Sequence, residues 1–354
     1  MARDTWTSDD GRIVLYCGDS LEIMPTMATE SVDCVVTDPP YFEVKDCAWD
    51  HQWDNRDAFL KWLGRCVDEW ARTMRSNSSL YCFASPQMAS RVEIAISDTL
   101  HVLNHIIWDK GPSAIHARSD KATLRSYFPR TERIIFAEHY HSDNIAKGEA
   151  SYVGACDKAR GLVFEPLRRY LRDEWARAGL TVKDANKATG CAGMAGHYFG
   201  ASQWQLPTAA HYEALRQYAN AEGGDYLRRE YEDLRREYED LRREYEDLRR
   251  PFFVTPQAQY TDVWTFDTAP SGRQNGSPRH PCQKPIDLLT HILTASTRPD
   301  AVVFDPFAGS GSTAVTCALA GRRFIGIEID RHWFEVAVAR TQEATQDLFA
   351  VVAQ

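Results

Sequence analysis

The sequence predicts an α/β protein whose mostly parallel sheet is interrupted by an inserted, mainly helical segment. Three observations predict it. Short apolar, β-branched runs recur near both ends of the 354-residue chain, with helical stretches between them. Such near-continuous apolar strands belong to sheets covered on both faces. From about residue 145 to 275 the strand series stops, and it resumes near 280. Within that gap the segment LRREYEDLRREYEDLRREYEDLRR (227–250) repeats one seven-residue unit almost without error.

In chain order the strand candidates are IVLYC (13–17), VDCVVT (32–37), SLYCFA (79–84), VLNHIIW (102–108), RIIFA (133–137), AVVFD (301–305) and RFIGIEI (323–329). Helices are expected over 55–74, 286–296 and 312–322, where apolar positions recur at helical spacing. The expected organisation is one half of an α/β domain over 1–144, a helical insert over 145–277 with a rod at 226–250, and the second half over 278–354.

The insert begins with FEPLRRYLRDEWARAG, LTVKDANKATG and TAAHYEALRQYAN. Gly179 can end one helix there, and Thr181 can cap the next with Asp184 three residues on. The run GCAGMAG then leads towards a third helix carrying His197, Tyr198 and Gln203. A helix-turn-helix and a plain helical hairpin both fit this pattern. In the heptads, Leu227, Leu234, Leu241 and Leu248 alternate with Tyr231, Tyr238 and Tyr245 as a two-residue seam. Asp225 can cap that helix and Pro251 can end it. Glu232–Arg236, Glu239–Arg243 and Glu246–Arg250 are spaced as i,i+4 pairs. The seam can bury itself on its own subunit or on a second copy, and a homodimer is the preferred expectation.

Charge and composition narrow the function classes. The formal charge is -9, and residues 1–70 alone hold 15 acids against 6 bases. The rest is net neutral and locally basic, which leaves room for a basic face. Lys110, Arg118, Arg125 and Arg130 lie in one such stretch. No run of about 18 apolar residues is present, so no membrane span is expected. The segment MARDTWTSDDGR lacks the apolar core of a signal peptide. Nine scattered cysteines with no CxxC pair argue against a disulfide framework or a metal site and fit a reducing cytoplasm.

Two motifs carry chemistry. FDPFAGSGSTAV (304–315) follows a strand and opens a helix, with Gly309 and Gly311 permitting close backbone approach to a ligand. The next strand ends at Glu328, nineteen residues after Gly309, where an acid can bond ribose hydroxyls. The third glycine of a pyrophosphate-binding loop is absent, with Thr313 near its place, which favours a nucleoside without phosphates. TDPPYF (37–42) follows another strand, placing Asp38 at the ligand-binding edge. Pro39 and Pro40 remove N–H donors and stiffen the turn. Asp38 and the Pro39 carbonyl can then accept the two hydrogens of a planar amine, with Tyr41 against its ring.

Together these residues resemble the S-adenosylmethionine-dependent DNA amino-methyltransferases. DPPY resembles their catalytic motif, FAGSG their cofactor loop, and the order resembles the β-class permutation. The resemblance covers roughly 12–140 and 278–345. It implies a seven-stranded Rossmann-like methyltransferase sheet with an inserted target-recognition domain, adenine-N6 methylation by base flipping in double-stranded DNA, and Asp38, Pro39, Pro40 and Tyr41 as catalytic residues. Asp19 is implied at the cofactor adenine and Glu328 at its ribose. Asp305, Phe307, Gly309, Ser310, Gly311 and Thr313 would surround the methionine end, with Lys284 near its carboxylate. Lys110, Arg118, Arg125, Arg130, His197 and Gln203 are the implied DNA contacts. Trp49 and Trp53, in the loop after DPPY, either cover the flipped base or simply pack. A bacterial or phage-encoded, cytoplasmic and nucleoid-associated protein is expected, and a cognate restriction endonuclease stays open as a separate partner. Cytosine-N4 methylation and a non-catalytic DNA-binding regulator are the alternatives.

Overall fold

A computed structural model describes residues 4–42, 50–111, 125, 127, 130–140, 152–191, 193–201, 203–253, 261–269, 273–274, 277–278 and 282–352. The chain divides into two compact units, Met1–His141 with Arg250–Gln354, and Ser142–Arg249.

The strands of the first unit are β1 (Asp4–Thr7), β2 (Ile13–Cys17), β3 (Val32–Thr37), β4 (Met74–Ala84), β5 (His101–Asp109), β6 (Thr131–Glu138) and β7 (Val263–Thr265). β8 (Arg273–Gln274) and β9 (Ser277–Pro278) form a separate hairpin, and β10 (Val302–Asp305) and β11 (Arg323–Glu328) complete the set. The large sheet runs β1-β2-β11-β10-β3-β4-β6-β5-β7. β2, β11, β10, β3 and β4 are mutually parallel, while β6 is antiparallel to both β4 and β5. All seven expected strands are present. Two short edge strands raise the count to nine among the described residues. β1 pairs antiparallel with β2, and β7 pairs parallel with β5. Four and three residues are too few for periodicity to reveal. β7 also falls inside the range expected for the insert, and the first unit resumes at Arg250 rather than 278.

Side chains alternate across this sheet because a strand has a period of two. Cys34, Val36, Tyr81, Phe83, Ile134 and Phe136 enter one core, with Leu289 and Ile292 of the helix Ile286–Ser296 and Ala337 of the helix Arg331–Val352. Val35, Leu80, Cys82, Ile135 and Ala137 enter the other, with Phe59, Leu63 and Trp70 of the helix Arg56–Thr73. The sheet is therefore covered on both faces, as the continuous apolar strands require.

The second unit is helical, with segments at Tyr152–Val163, Glu165–Arg177, Val182–Thr189, Ala209–Ala219 and Tyr231–Leu248. Gly179 adopts φ 72° between the second and third. The Asp184 carboxylate accepts the Thr181 N–H at 2.8 Å, closing the capping box. The expected third helix shrinks to a five-residue 3-10 turn, Met194–Tyr198. It includes His197 but not Gln203, which lies beyond it, exposed and at φ 54°. So short a turn does not make a groove-filling recognition helix.

The heptad helix starts at Tyr231 with Glu230 as its N-cap, not at Asp225. Hydrogen bonds explain why the first four residues of the repeat, 227–230, are not helical. Leu227 N donates to Glu174 Oε2 (2.9 Å), and the Tyr212 hydroxyl contacts the Leu227 and Arg229 carbonyls at 3.0 and 2.8 Å. Arg229 N donates to the Tyr170 hydroxyl (3.0 Å), and Leu227 sits at φ 52°. The seam is buried by its own unit. Leu227 and Leu234 are 1% and 0% exposed; Tyr238 stacks on Phe164 at 5.4 Å between ring centroids, and Tyr245 packs tilted against it at 5.7 Å. Leu248 is 51% exposed. The ion pairs along the helix take i,i+3 spacing, such as Asp233–Arg236 and Glu246–Arg249, in place of the expected i,i+4 set. This intramolecular burial removes the seam as a ground for pairing two copies. Leu234→Ala should cost about 2–5 kcal/mol in urea unfolding of the full chain. Leu248→Ala should stay within about 0.5 kcal/mol. Equal effects would contradict the packing described.

Candidate active site

Parallel pairing delivers four acids to one edge. β2 is followed by Asp19, β11 ends at Glu328, β10 ends at Asp305, and β3 is followed by Asp38. The strands adjoin in that order. The antiparallel turn of β6 and the return of β5 bring Glu132 and Lys110 to the same edge. A solvent-connected cleft of about 1100 Å³ opens there, lined by all four acids, Lys284, Pro39, Tyr41, Phe307 and Trp333.

The Asp38–Tyr41 turn is held from inside. Asp50, fully buried, accepts the N–H groups of Tyr41 (2.7 Å) and Phe42 (2.8 Å). Phe42 takes φ 60°, so these bonds hold a backbone that a bulky residue disfavours. Tyr41 is 7% exposed, and its hydroxyl donates to Glu132 Oε2 at 3.0 Å. Lys284 Nζ donates to Asp38 Oδ2 at 2.5 Å and to Tyr41 Oη at 3.3 Å, and lies 3.5 Å from Glu132 Oε2. Lys110 Nζ donates to Glu132 Oε1 at 2.5 Å. The other Asp38 oxygen, Oδ1, is buried with no hydrogen-bond partner among the described residues.

One ammonium between two carboxylates sets the titration of this cluster. Burial drives the Asp38 carboxyl above the ordinary aspartate range. Lys284 pulls it down, Glu132 pushes it up, and the net direction is upward. Burial alone would also raise Glu132, but Lys284 and Lys110 outweigh it and hold Glu132 at about 2. Lys284 is buried, which favours the neutral amine, yet Asp38 and Glu132 hold its pKa above the ordinary lysine value. Glu132 and Lys284 are thus a fixed charge pair, and Asp38 carries the raised proton affinity.

The glycine loop forms the other side of the cleft. Asp305, 4% exposed, accepts Phe307 N at 3.1 Å and the Thr313 hydroxyl at 2.9 Å. These two residues, expected against a ligand, brace the loop from within. Gly311 has φ 76°, and a Cβ there would come within 2.8 Å of Ala337 Cβ. Ser310 is fixed by Arg340, whose Nη1 lies 2.9 Å from Ser310 Oγ. Phe307 packs on Trp62 at 5.5 Å between ring centroids. Glu328 accepts Gly309 N at 2.7 Å on Oε2 and Asp330 N at 2.8 Å on Oε1, leaving lone pairs on both oxygens for further donors. Burial raises both acids, Asp305 and Glu328, to about 7. Asp19 is exposed and accepts Leu21 N at 2.7 Å.

Several expected positions lie elsewhere in role. Lys284 is bonded to the Asp38 carboxylate and also lines the cleft beside the glycine loop. Lys110 is spent on Glu132, and Arg130 is paired with Asp109, its Nε 2.6 Å from Oδ1, so neither side chain is an unpaired phosphate contact. Arg125 is exposed, while Arg118 and Trp49 lie outside the described residues. Trp53 packs against Phe59 and Trp62, at 4.9 and 4.7 Å. Glu132, Asp50 and Arg340 were not singled out in the sequence. Glu132 looked like one acid in a basic stretch, and only strand pairing brings it to Asp38.

The arrangement selects for ligand chemistry. A row of carboxylates favours hydroxyl, amine and cationic groups. Among the described cleft-lining residues the single cation, Lys284, is already paired, so a phosphate would meet no free counter-charge from them.

Residues 32–339 match the DNA methylase family designated N6_N4_Mtase. The chain is 23% identical over 334 residues to the DNA adenine methyltransferase YhdJ of Escherichia coli (strain K12), covering 93% of this chain and 82% of that one. It is 38% identical over 92 residues to the type II methyltransferase M.ScaI of Streptomyces caespitosus, covering 25% of this chain and 30% of that protein. Among solved structures, the cytosine-N4-specific PvuII DNA methyltransferase aligns over 96% of this chain and 91% of that one, with a TM-score of 0.53 and 13% identity, a likeness of fold.

The raised acids make stability depend on pH. The folded chain holds protons on Asp305 and Glu328 up to about 7, whereas the unfolded chain loses them near ordinary carboxyl values of about 4. Their stabilisation is therefore full below about pH 4 and is lost as pH rises through about 7. Thermal unfolding at pH 5 and pH 8 should show a smaller drop in Tm for Asp305→Asn than for the parent chain. An unchanged drop would mean that Asp305 does not hold that proton.

Proposed function

This chain belongs to the DNA methylase family, and within it we propose that the protein transfers a methyl group from S-adenosylmethionine to the N6 amino group of an adenine flipped out of double-stranded DNA. The observation that carries the reading is the Asp38 carboxylate, tied through Oδ2 and left with no hydrogen-bond partner for Oδ1 among the described residues. Beside it the Pro39 carbonyl ends the same rigid turn. An exocyclic amine offers two hydrogens, which these two oxygens accept.

The cleft fits the cofactor by its donor set. Glu328 takes the ribose hydroxyls on its remaining lone pairs, Asp19 takes the adenine amine, and the loop from Phe307 to Thr313 encloses the methionine end. The acidic row suits the positive sulfonium. The cofactor supplies the methyl group and leaves as a neutral thioether, and the amine nitrogen gives up one proton for each methyl gained.

The chain's own residues act on the amine. Its lone pair is delocalised into the ring, which makes it a poor nucleophile. Hydrogen bonds to Asp38 Oδ1 and the Pro39 carbonyl favour a pyramidal nitrogen with the lone pair turned to the methyl donor. Asp38 Oδ1 then takes the proton, and its raised affinity helps it to do so. Such acid–base assistance contributes about 10²–10⁴-fold. Taking the base out of the stack costs a few kcal/mol. Stacking on the Tyr41 ring, held rigid through its hydroxyl, offsets about 1–3 kcal/mol.

Adenine is favoured over cytosine because the motif opens on Asp, and because an adenine methyltransferase aligns along most of the chain. In this reading the second unit recognises the target site, with His197 and Gln203 its described candidates for DNA contact and Arg125 a candidate on the first unit. No described helix is long and apolar enough to cross a membrane, and a cytoplasmic setting is part of the proposal. So are a homodimer, now resting on resemblance alone, and a separate cognate restriction endonuclease. Mass spectrometry of nucleosides from cells expressing the protein tests the reading. N6-methyladenine above the level of untransformed cells is expected. N4-methylcytosine would overturn the choice of base, and no new methylated base would overturn the reading.

A further inference from the structure

The catalytic edge holds more charge than accepting an amine requires. Lys284 is 7% exposed, with Phe83 and Tyr41 rings 4.8 and 5.5 Å from its ammonium. Burying a cation there costs free energy that only closely placed carboxylates can offset. Its shortest bond goes to Asp38 Oδ2, and Glu132 stands on its other side. Glu132 is in turn anchored by Lys110 and by the Tyr41 hydroxyl.

We infer that Lys284 and Glu132 are an opposed pair of positioning residues for methyl transfer: Lys284 ties down Asp38 Oδ2 so that Oδ1 alone meets the amine, and Glu132 holds the ammonium in place without letting it neutralise Asp38 fully. The inference rests on the amino-methylation reading above and adds two residues that the DPPY motif does not contain. A carboxylate free to rotate would present either oxygen. Fixing one oxygen removes that freedom before the base arrives, and misplacement of a reacting group costs about 10²-fold in rate. If Lys284 faced Asp38 alone, the ion pair would hold the carboxylate ionised and lower its affinity for the amine's proton. Glu132, sharing the same ammonium, restores that affinity.

The titratable groups facing Asp38 are Lys284, Glu132, Tyr41, Cys82 and Asp305, with Lys110 and Cys282 behind them. Of these, Lys284 lowers the Asp38 pKa and Glu132 raises it. The two substitutions must therefore shift activity in opposite directions along the pH axis. A purely structural role would lower activity in both without that opposition.

The test is single-turnover transfer of labelled methyl to unmethylated, mixed-sequence double-stranded DNA, followed from pH 5 to pH 9. Asp38 must be ionised to accept the amine, so the rate falls on the acid side. Lys284→Gln should move that acid limb to higher pH, and Glu132→Gln should move it to lower pH, each by about one pH unit or more. The double variant should return towards the parent position. Lys284→Arg, which keeps the charge, should keep the limb in place while lowering the rate. Binding of S-adenosylhomocysteine by calorimetry reports that each variant retains its cleft. Limbs that stay fixed or move together overturn the inference. Should Lys284→Gln not fold, Glu132→Gln decides alone, because a limb that stays or rises contradicts it. A parent chain that methylates no DNA instead overturns the reading beneath, so the two failures are distinct.

Discussion

Parallel pairing of β2, β11, β10 and β3 forces their carboxyl ends onto one edge, and each of those ends carries an acid. Everything chemical in the first unit follows from managing that crowding. Asp305 is buried and neutralised in part by protonation and by the loop it braces. Glu328 spends its charge on two backbone N–H groups. Asp19 faces solvent, where water screens it. Of the four, among the described residues, only Asp38 is given a direct cation, and that cation is shared. The sheet could have placed apolar residues at these positions at lower cost, so the acids mark function rather than stability.

The second unit solves a different problem. A strongly charged heptad helix usually needs a partner to cover its seam. Here the partner is the unit itself, through Phe164, Trp204 and Tyr212. Tyrosine suits this better than a tight two-helix zipper would, because each ring packs while its hydroxyl reaches solvent or a polar group. Hydrogen bonds accepted by Tyr170 and Glu174 and donated by Tyr212 start the helix four residues later than the sequence pattern implies.

The fold was largely legible because its signals are local. Seven apolar strands and the helices that cover them each carry their own periodicity, and β1 and β7 escaped because three or four residues carry none. DPPY and FAGSG were legible as motifs, and the structure brings both to one cleft. What was not legible depends on contacts between distant segments. Resemblance puts Lys284 near the cofactor, but nothing local to it reveals its bond to Asp38, 246 residues away in sequence. Lys110 and Arg130 read as a basic stretch, yet each is paired with an acid on a neighbouring strand. Glu132 was invisible for the same reason, since only the antiparallel reversal of β6 delivers it to the active edge.

The central claim is that Asp38 receives the amine. Its most direct test is single-turnover methyl transfer by Asp38→Ala, with DNA and S-adenosylmethionine both saturating and their binding measured separately. The account predicts that both still bind while the transfer rate falls by about 10²-fold or more. Near-normal transfer by that variant would contradict it.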